Sequence, residues 1–250
     1  MTRRKMLAIA ATAITLSASA AGLTDSLNYH IRLGYNIGGT APIGMPATIR
    51  RLNKYTLKSN ISFAFDIQKD LWDRWGLLTG LHVENKGMKV DATVKNYHIE
   101  MVKGSQKLTG YFTGRNVTNV DEWLLTIPLM GTFAVSDNLR LKLGPYLSFV
   151  MSRKFDGYAY NGHLREGTPT GDWVDILESE DQRGSYDFSD DMRKLQAGID
   201  LGADWYLSKR WGLYADITWG LTGIHHSDFK TIDQTLYPIF GTVGVTYRLK

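Results

Sequence analysis

Apolar and polar residues alternate along this chain in eight separate stretches. In the first, about 28–38, Tyr29, Ile31, Leu33, Tyr35 and Ile37 share one face, and His30, Arg32, Gly34, Asn36 and Gly38 the other. The second, about 58–69, sets Ile61, Phe63, Phe65 and Ile67 against Ser62, Ala64, Asp66 and Gln68. The same alternation recurs over about 75–88, 122–135, 139–152, 194–207, 211–223 and 237–249. A period of two belongs to a β-strand, whose successive side chains point to opposite faces. Each stretch reaches or exceeds the roughly 9–11 residues with which a tilted strand crosses a bilayer.

The connections alternate too. Those after the second, fourth and sixth stretches are a few residues long, as in Trp72-Asp73-Arg74-Trp75 and Ser136-Asp137-Asn138. Those after the first, third, fifth and seventh run about 19, 33, 41 and 13 residues. Short turns on one rim and long loops on the other predict an all-β, eight-stranded antiparallel up-and-down transmembrane β-barrel, with short periplasmic turns and long extracellular loops. Trp72, Trp75, Trp205, Trp211 and Tyr247 fall at the short-turn rim, where a membrane-interface belt of aromatics belongs. A soluble sandwich also alternates, but its polar face would meet solvent; here that face is rich in Gly, which suits a narrow barrel interior.

The start of the chain reads differently. Arg3, Arg4 and Lys5 precede an apolar run from Met6 to Leu16 and the small residues Ala18-Ser19-Ala20. These are the parts of a cleaved secretory signal, so the domains expected are a signal peptide, 1–20, and a barrel, 21–250. Export places the protein in the cell outer membrane. Removing the three signal cations from a formal net charge of +4 leaves about +1, so charge offers no case for nucleic acid as a partner. There are no cysteines, hence no disulfide framework. A mean hydropathy of -0.23 fits a barrel in which only alternate strand residues meet lipid.

The expected lumen carries Arg32, Asp66, Glu84, Lys86, Arg140, Lys142, Asp200, Asp204, Asp216 and Arg248. Opposite charges in so narrow a space are expected to pair and plug it; a small selective pore is the alternative. His225 and Ser227, two apart where the seventh strand meets its loop, would share the lipid-facing side if that strand continued. Such a pair suits base and nucleophile, and it is similar to the His-x-Ser of outer-membrane lipid A deacylases, a likeness of two residues. The commoner reading is a polar loop base. The segment 153–193, with Asp172, Asp175, Glu178, Glu180 and Asp181 among Tyr158, Tyr160 and Trp173, reads as a solvated mobile loop, and second as a surface that binds a partner. The less polar segment 39–57 is expected to cap the barrel mouth. No cofactor or metal site is expected.

Leu125-Thr126-Ile127-Pro128-Leu129-Met130 followed across one hairpin by Leu143-Gly144-Pro145-Tyr146-Leu147-Ser148 resembles the PorT-like "porin family" of outer-membrane β-barrels. Ala197-Gly198-Ile199-Asp200-Leu201-Gly202 and Gly241-Thr242-Val243-Gly244-Val245-Thr246-Tyr247-Arg248-Leu249 fit the later strands of that family. The resemblance spans about 28–250 and implies an eight-stranded outer-membrane barrel without a known active site. The reading as a whole is a non-enzymatic barrel whose partners are the outer-membrane lipid bilayer and an envelope protein or surface ligand met by the extracellular loops. A lipid A hydrolase using His225 and Ser227 and a small porin are its rivals.

Overall fold

The computed structural model describes residues 27–44, 46–229, 231–232 and 234–249; the expected signal, 1–20, lies outside them. The described residues form β1 (Leu27–Pro42), β2 (Ile49–Leu57), β3 (Ile61–Trp72), β4 (Trp75–Lys103), β5 (Gln106–Ala134), β6 (Leu139–Glu166), β7 (Trp173–Ile176), β8 (Gly184–Asp187), β9 (Leu195–Tyr206), β10 (Trp211–Gly220) and β11 (Leu236–Arg248). Eight of them close a ring in the order β1-β3-β4-β5-β6-β9-β10-β11, and β11 pairs back onto β1. Every neighbour is antiparallel. The chain is thus an up-and-down β-barrel with no open edge through the ring, the closure that a strand protein needs where water cannot satisfy its backbone.

Burial follows the sequence period and sets the two faces. Along β10, Gly212, Tyr214, Asp216 and Thr218 point in and are buried, while Trp211, Leu213, Ile217 and Trp219 point out. Outward residues all around the ring are large and apolar, among them Phe63, Leu129 at 58% exposure and Leu143 at 56%. A water-soluble surface does not carry such a continuous band; a lipid-facing one does. At the short-turn end the outward residues become aromatic. Trp72, Trp75, Trp205 and Trp211 are all more than half exposed, and the Trp75–Phe133 and Trp211–Tyr247 ring pairs are 4.8 Å apart. Trp123 and Trp219 mark the other edge of the band.

The long-loop end departs from the expectation of loops. β4, β5 and β6 are 29, 29 and 28 residues long. At about 3.3 Å per residue each reaches roughly 90–95 Å, well over twice what a bilayer crossing takes. Residues 89–121, expected as a loop, are instead the upper halves of β4 and β5, joined through Gly104. Residues 153–193 are not a mobile solvated loop: β6 continues to Glu166, and β7 and β8 pair along its free edge. Residues 39–57 do not cap the mouth. β1 continues to Pro42, and β2 runs beside β4 from Ile49↔Val94 to Leu57↔Met88, extending the wall upward. The physical reason is a second apolar core above the lumen. Met88, Ala92, Ile99, Met101, Phe112, Val120, Phe155, Leu164 and Ile176 are buried there, and they hold the strands together past the membrane. Tyr186, Phe188, Met192, Ile224 and Ile232 close it from above, so 184–192, 221–229 and Ile232 do the capping.

Candidate functional site

The lumen is filled by charge. Arg32 on β1 sits at its centre, 2% exposed. Its Nη1 and Nη2 donate to the two carboxylate oxygens of Asp204 on β9 at 3.0 and 2.8 Å, and its Nε lies 2.6 Å from Asp66 of β3. Lys142 on β6 bridges Asp204 and Asp216 at 2.9 and 2.7 Å. His82 Nε2 meets the other oxygen of Asp66 at 2.8 Å. One layer up, Lys86 pairs with Glu84 at 3.1 Å, Thr126 donates to Glu84 at 3.1 Å, and Thr218 donates to Asp200 at 2.9 Å. Tyr214 carries Arg32 on its ring at 5.1 Å and Lys142 at 5.4 Å. Charges this far from water persist only when paired and hydrogen-bonded.

Glycine makes the fit possible. A Cβ on Gly202 would lie 1.8 Å from Asp216 Oδ1, and one on Gly34 would lie 2.2 Å from the Tyr214 hydroxyl. Between Arg32, Glu84, Asp200, Tyr214 and Thr242 remains a void of about 10 Å³, room for about one water molecule. Arg248 stands lower, at the short-turn mouth, with its guanidinium 4.3 Å over the Tyr206 ring. His30, Glu122 and Gln196 are buried in the same interior, with Gln196 donating to Glu122 at 2.6 Å. Sequence reading passed over these three as carriers of the network. Their inward parity was the available signal.

The projecting sheet of β2, β4, β5 and β6, with β8 along its edge, forms a crest whose outer face is polar. Asp91 is its most connected residue. Arg115 Nε donates to it at 3.0 Å, Arg115 Nη2 makes a second bond, and the Tyr160 hydroxyl donates at 2.9 Å. Burial works against the Asp91 charge, yet the bonds from Arg115 and Tyr160 outweigh it and hold the carboxyl below its ordinary value. Nearer the barrel, Lys58 pairs with Asp121 at 3.0 Å and Lys154 with Asp156 at 3.1 Å. Arg183 lies 4.6 Å over Tyr158.

With a closed antiparallel ring, an apolar outer band and two aromatic edges in place, comparison with known proteins adds the family. Residues 17–226 match the model described as "Outer membrane protein beta-barrel domain". The chain belongs to that family. Among solved structures, Ail, the attachment invasion locus protein of Yersinia pestis, in complex with the heparin analogue sucrose octasulfate, is similar at 12% identity. Its TM-score is 0.41, and 90% of this chain and 99% of that one are covered. CarO2 of Acinetobacter baumannii is similar at 11% identity and a TM-score of 0.41, with 88% and 99% covered. A comparison with curated proteins finds no match.

On this outer-membrane barrel His225 and Ser227 do not share a lipid-facing strand. β10 ends at Gly220, short of the expected 223, and Leu221 to Phe229 turn inward over the apolar core. His225 is buried, stacked on Phe229 at 4.5 Å and edge-on to Phe155 at 4.7 Å, and its Nε2 has no hydrogen-bond partner. Ser227 is exposed. Desolvation, with the neighbouring His226 charge second, pushes the His225 pKa down to about 4. The imidazole is a neutral piece of core, held by its ring faces.

Proposed function

We propose that this barrel is a non-enzymatic surface protein that presents its crest outside the cell for contact with a ligand or another envelope component. One contrast carries the reading. The middle of the lumen is filled by the Arg32–Asp204–Lys142–Asp216 cluster, beside which lies a void of about 10 Å³, whereas roughly half of β4, β5 and β6 stands beyond the apolar band as an ordered sheet. The barrel anchors; the crest acts. Residues 1–20 supply the cleaved export signal in this scheme, so protein purified from membranes should begin at Ala21. The finer kinship with PorT-like barrels rests on the Ile-Pro-Leu and Gly-Pro-Tyr strands, which lie side by side with Pro128 opposite Tyr146.

The test has two arms. Purified protein in planar bilayers is expected to give no single-channel steps, and regular steps would favour the small-porin reading. In intact cells, biotin supplied from outside should label Lys107, beside the β4–β5 turn; labelling only after lysis would remove the surface reading.

A further inference from the structure

We propose that the outward face of the crest, just past the lipid interface, binds the phosphorylated saccharide head group of an outer-leaflet glycolipid through Lys89 and Arg183. This rests on the surface reading above and names the ligand class. Position comes first. On β5 the outward residues after Trp123, at the edge of the apolar band, are Asp121 and then Asn119, which pairs with Lys89 on β4 and Asp156 on β6. Lys89 therefore stands four residues above Trp123, about 13 Å along the strand, at head-group depth.

Charge comes second. Three carboxylates on this face are already engaged: Asp121 with Lys58, Asp156 with Lys154 and Asn119, and Asp91 with Arg115. Asp187, beside them, accepts from the Ser189 backbone at 2.9 Å. Lys89, Lys54 and Arg51 have no ion pair among the described residues, and the register sets Lys54 opposite Asp91 and Lys89 opposite Thr56. A cationic surface left over beside a membrane attracts anionic head groups.

Shape comes third. A cavity of about 630 Å³ opens on this face; its lining includes Lys89 and Arg183, the carboxylates of Asp156 and Asp187, and the polar Asn119 and Ser185, and its volume is within the range of about 300–1,000 Å³ usual for small-molecule sites. Arg183 lies over Tyr158, in an exposed ion pair of 3.2 Å from Nη2 to Glu180, and its buried Nε has no hydrogen-bond partner. Lys89 and Arg183 would take the phosphate, while the Asn119 amide oxygen and the Ser185 hydroxyl suit sugar hydroxyls. Below, Leu81, Ile127 and Phe149 continue the same wall as an apolar surface for acyl chains. An acidic peptide would satisfy the cations but not the adjoining lipid wall.

The test uses the full chain in phosphatidylcholine nanodiscs, titrated with a bisphosphorylated glucosamine disaccharide, with inorganic phosphate as a second ligand. A third arm places the protein in lipopolysaccharide vesicles. Wild type should bind the disaccharide more tightly than phosphate, and the Lys89→Gln, Arg183→Gln double variant should lose about tenfold or more, as loss of charge-assisted bonds implies. Lys107→Gln, at the crest tip, should match wild type. The same double change should release protein-bound lipopolysaccharide, which marks the membrane lipid as the source. Folding is read from heat-modifiable gel mobility; if the double variant does not fold, Lys89→Met alone is scored. Equal binding by wild type and variant, or equal affinity for phosphate and disaccharide, overturns the proposal. So does absence of binding by a protein whose Lys107 is labelled from outside intact cells, and that result leaves the surface reading standing.

Discussion

Arg32 and Asp204 lie 172 residues apart in the chain and meet in the middle of the barrel through two parallel hydrogen bonds of 2.8 and 3.0 Å. The pair joins β1 to β9 across the lumen rather than along the wall. It ties strands three places apart in the ring together and fills the middle of the lumen. Breaking it by Asp204→Leu leaves a buried guanidinium with only Asp66 and the more distant Asp216, and is expected to cost about 3–5 kcal/mol. The double variant Arg32→Met, Asp204→Leu should recover part of that loss, since no unpaired charge remains from this pair. Urea unfolding in lipid vesicles, followed by gel mobility, gives both values. A double variant no better than the worse single one would refute the account.

Glycine substitutions should split by face. Gly202→Val drives its Cβ toward Asp216 Oδ1 and Lys142 and should prevent folding into vesicles. Gly131→Val, on the outward face with nothing nearer than 3.7 Å, should fold at the wild-type rate or nearly so. Equal tolerance at both positions would mean the lumen is looser than its packing indicates.

Acid should loosen the cap. The folded His225 titrates near 4 because burial, and then His226, disfavour its charge; unfolded it takes a proton near 6.5. Between those values the open state binds the extra proton. Stability of the cap is therefore full above about pH 6.5 and falls as pH drops toward 4, by up to about 3 kcal/mol. Hydrogen exchange of the 184–192 and 221–229 amides at pH 7.5 and 4.5 should show this, and His225→Phe should flatten the difference. Exchange in the wild type that is as slow at pH 4.5 as at 7.5, once corrected for intrinsic rates, would argue against it.

Ser227→Ala is expected to leave the acylation pattern of membrane lipid A unchanged by mass spectrometry. His225 packs its imidazole against Phe155 and Phe229, and its Nε2 lies buried inside the cap. A changed pattern would restore the hydrolase.

The barrel was legible because lipid imposes a simple rule on sequence. One strand face must be apolar over a fixed length, so Leu213, Ile217 and Trp219 alternate visibly with Tyr214, Asp216 and Thr218. The inward ionic residues followed from the same parity, as Arg32, Asp66 and Lys142 show. The crest was not legible for a related reason. Above the membrane both faces of a strand meet either water or a private core, so β4 carries Asp91 and Thr93 on one side of Ala92 and Val94 with no long apolar signal. The carboxylates of 172–191 hid the buried Tyr186, Phe188 and Met192, and the segment read as a solvated loop.

By itself the sequence determined the strand period, the number of membrane crossings and which residues of the crossing stretches face inward, because these depend on local alternation and on bilayer thickness. Tertiary structure alone decided which lumen charges touch, since Arg32, Asp66, Lys142, Asp204 and Asp216 come from five different strands and meet only after the ring closes. It also decided that β4, β5 and β6 continue outward as a sheet. That continuation depends on burying Phe112, Phe155, Leu164 and Ile176 against one another, and contacts between strands so far apart in the chain leave no periodic trace along any one of them.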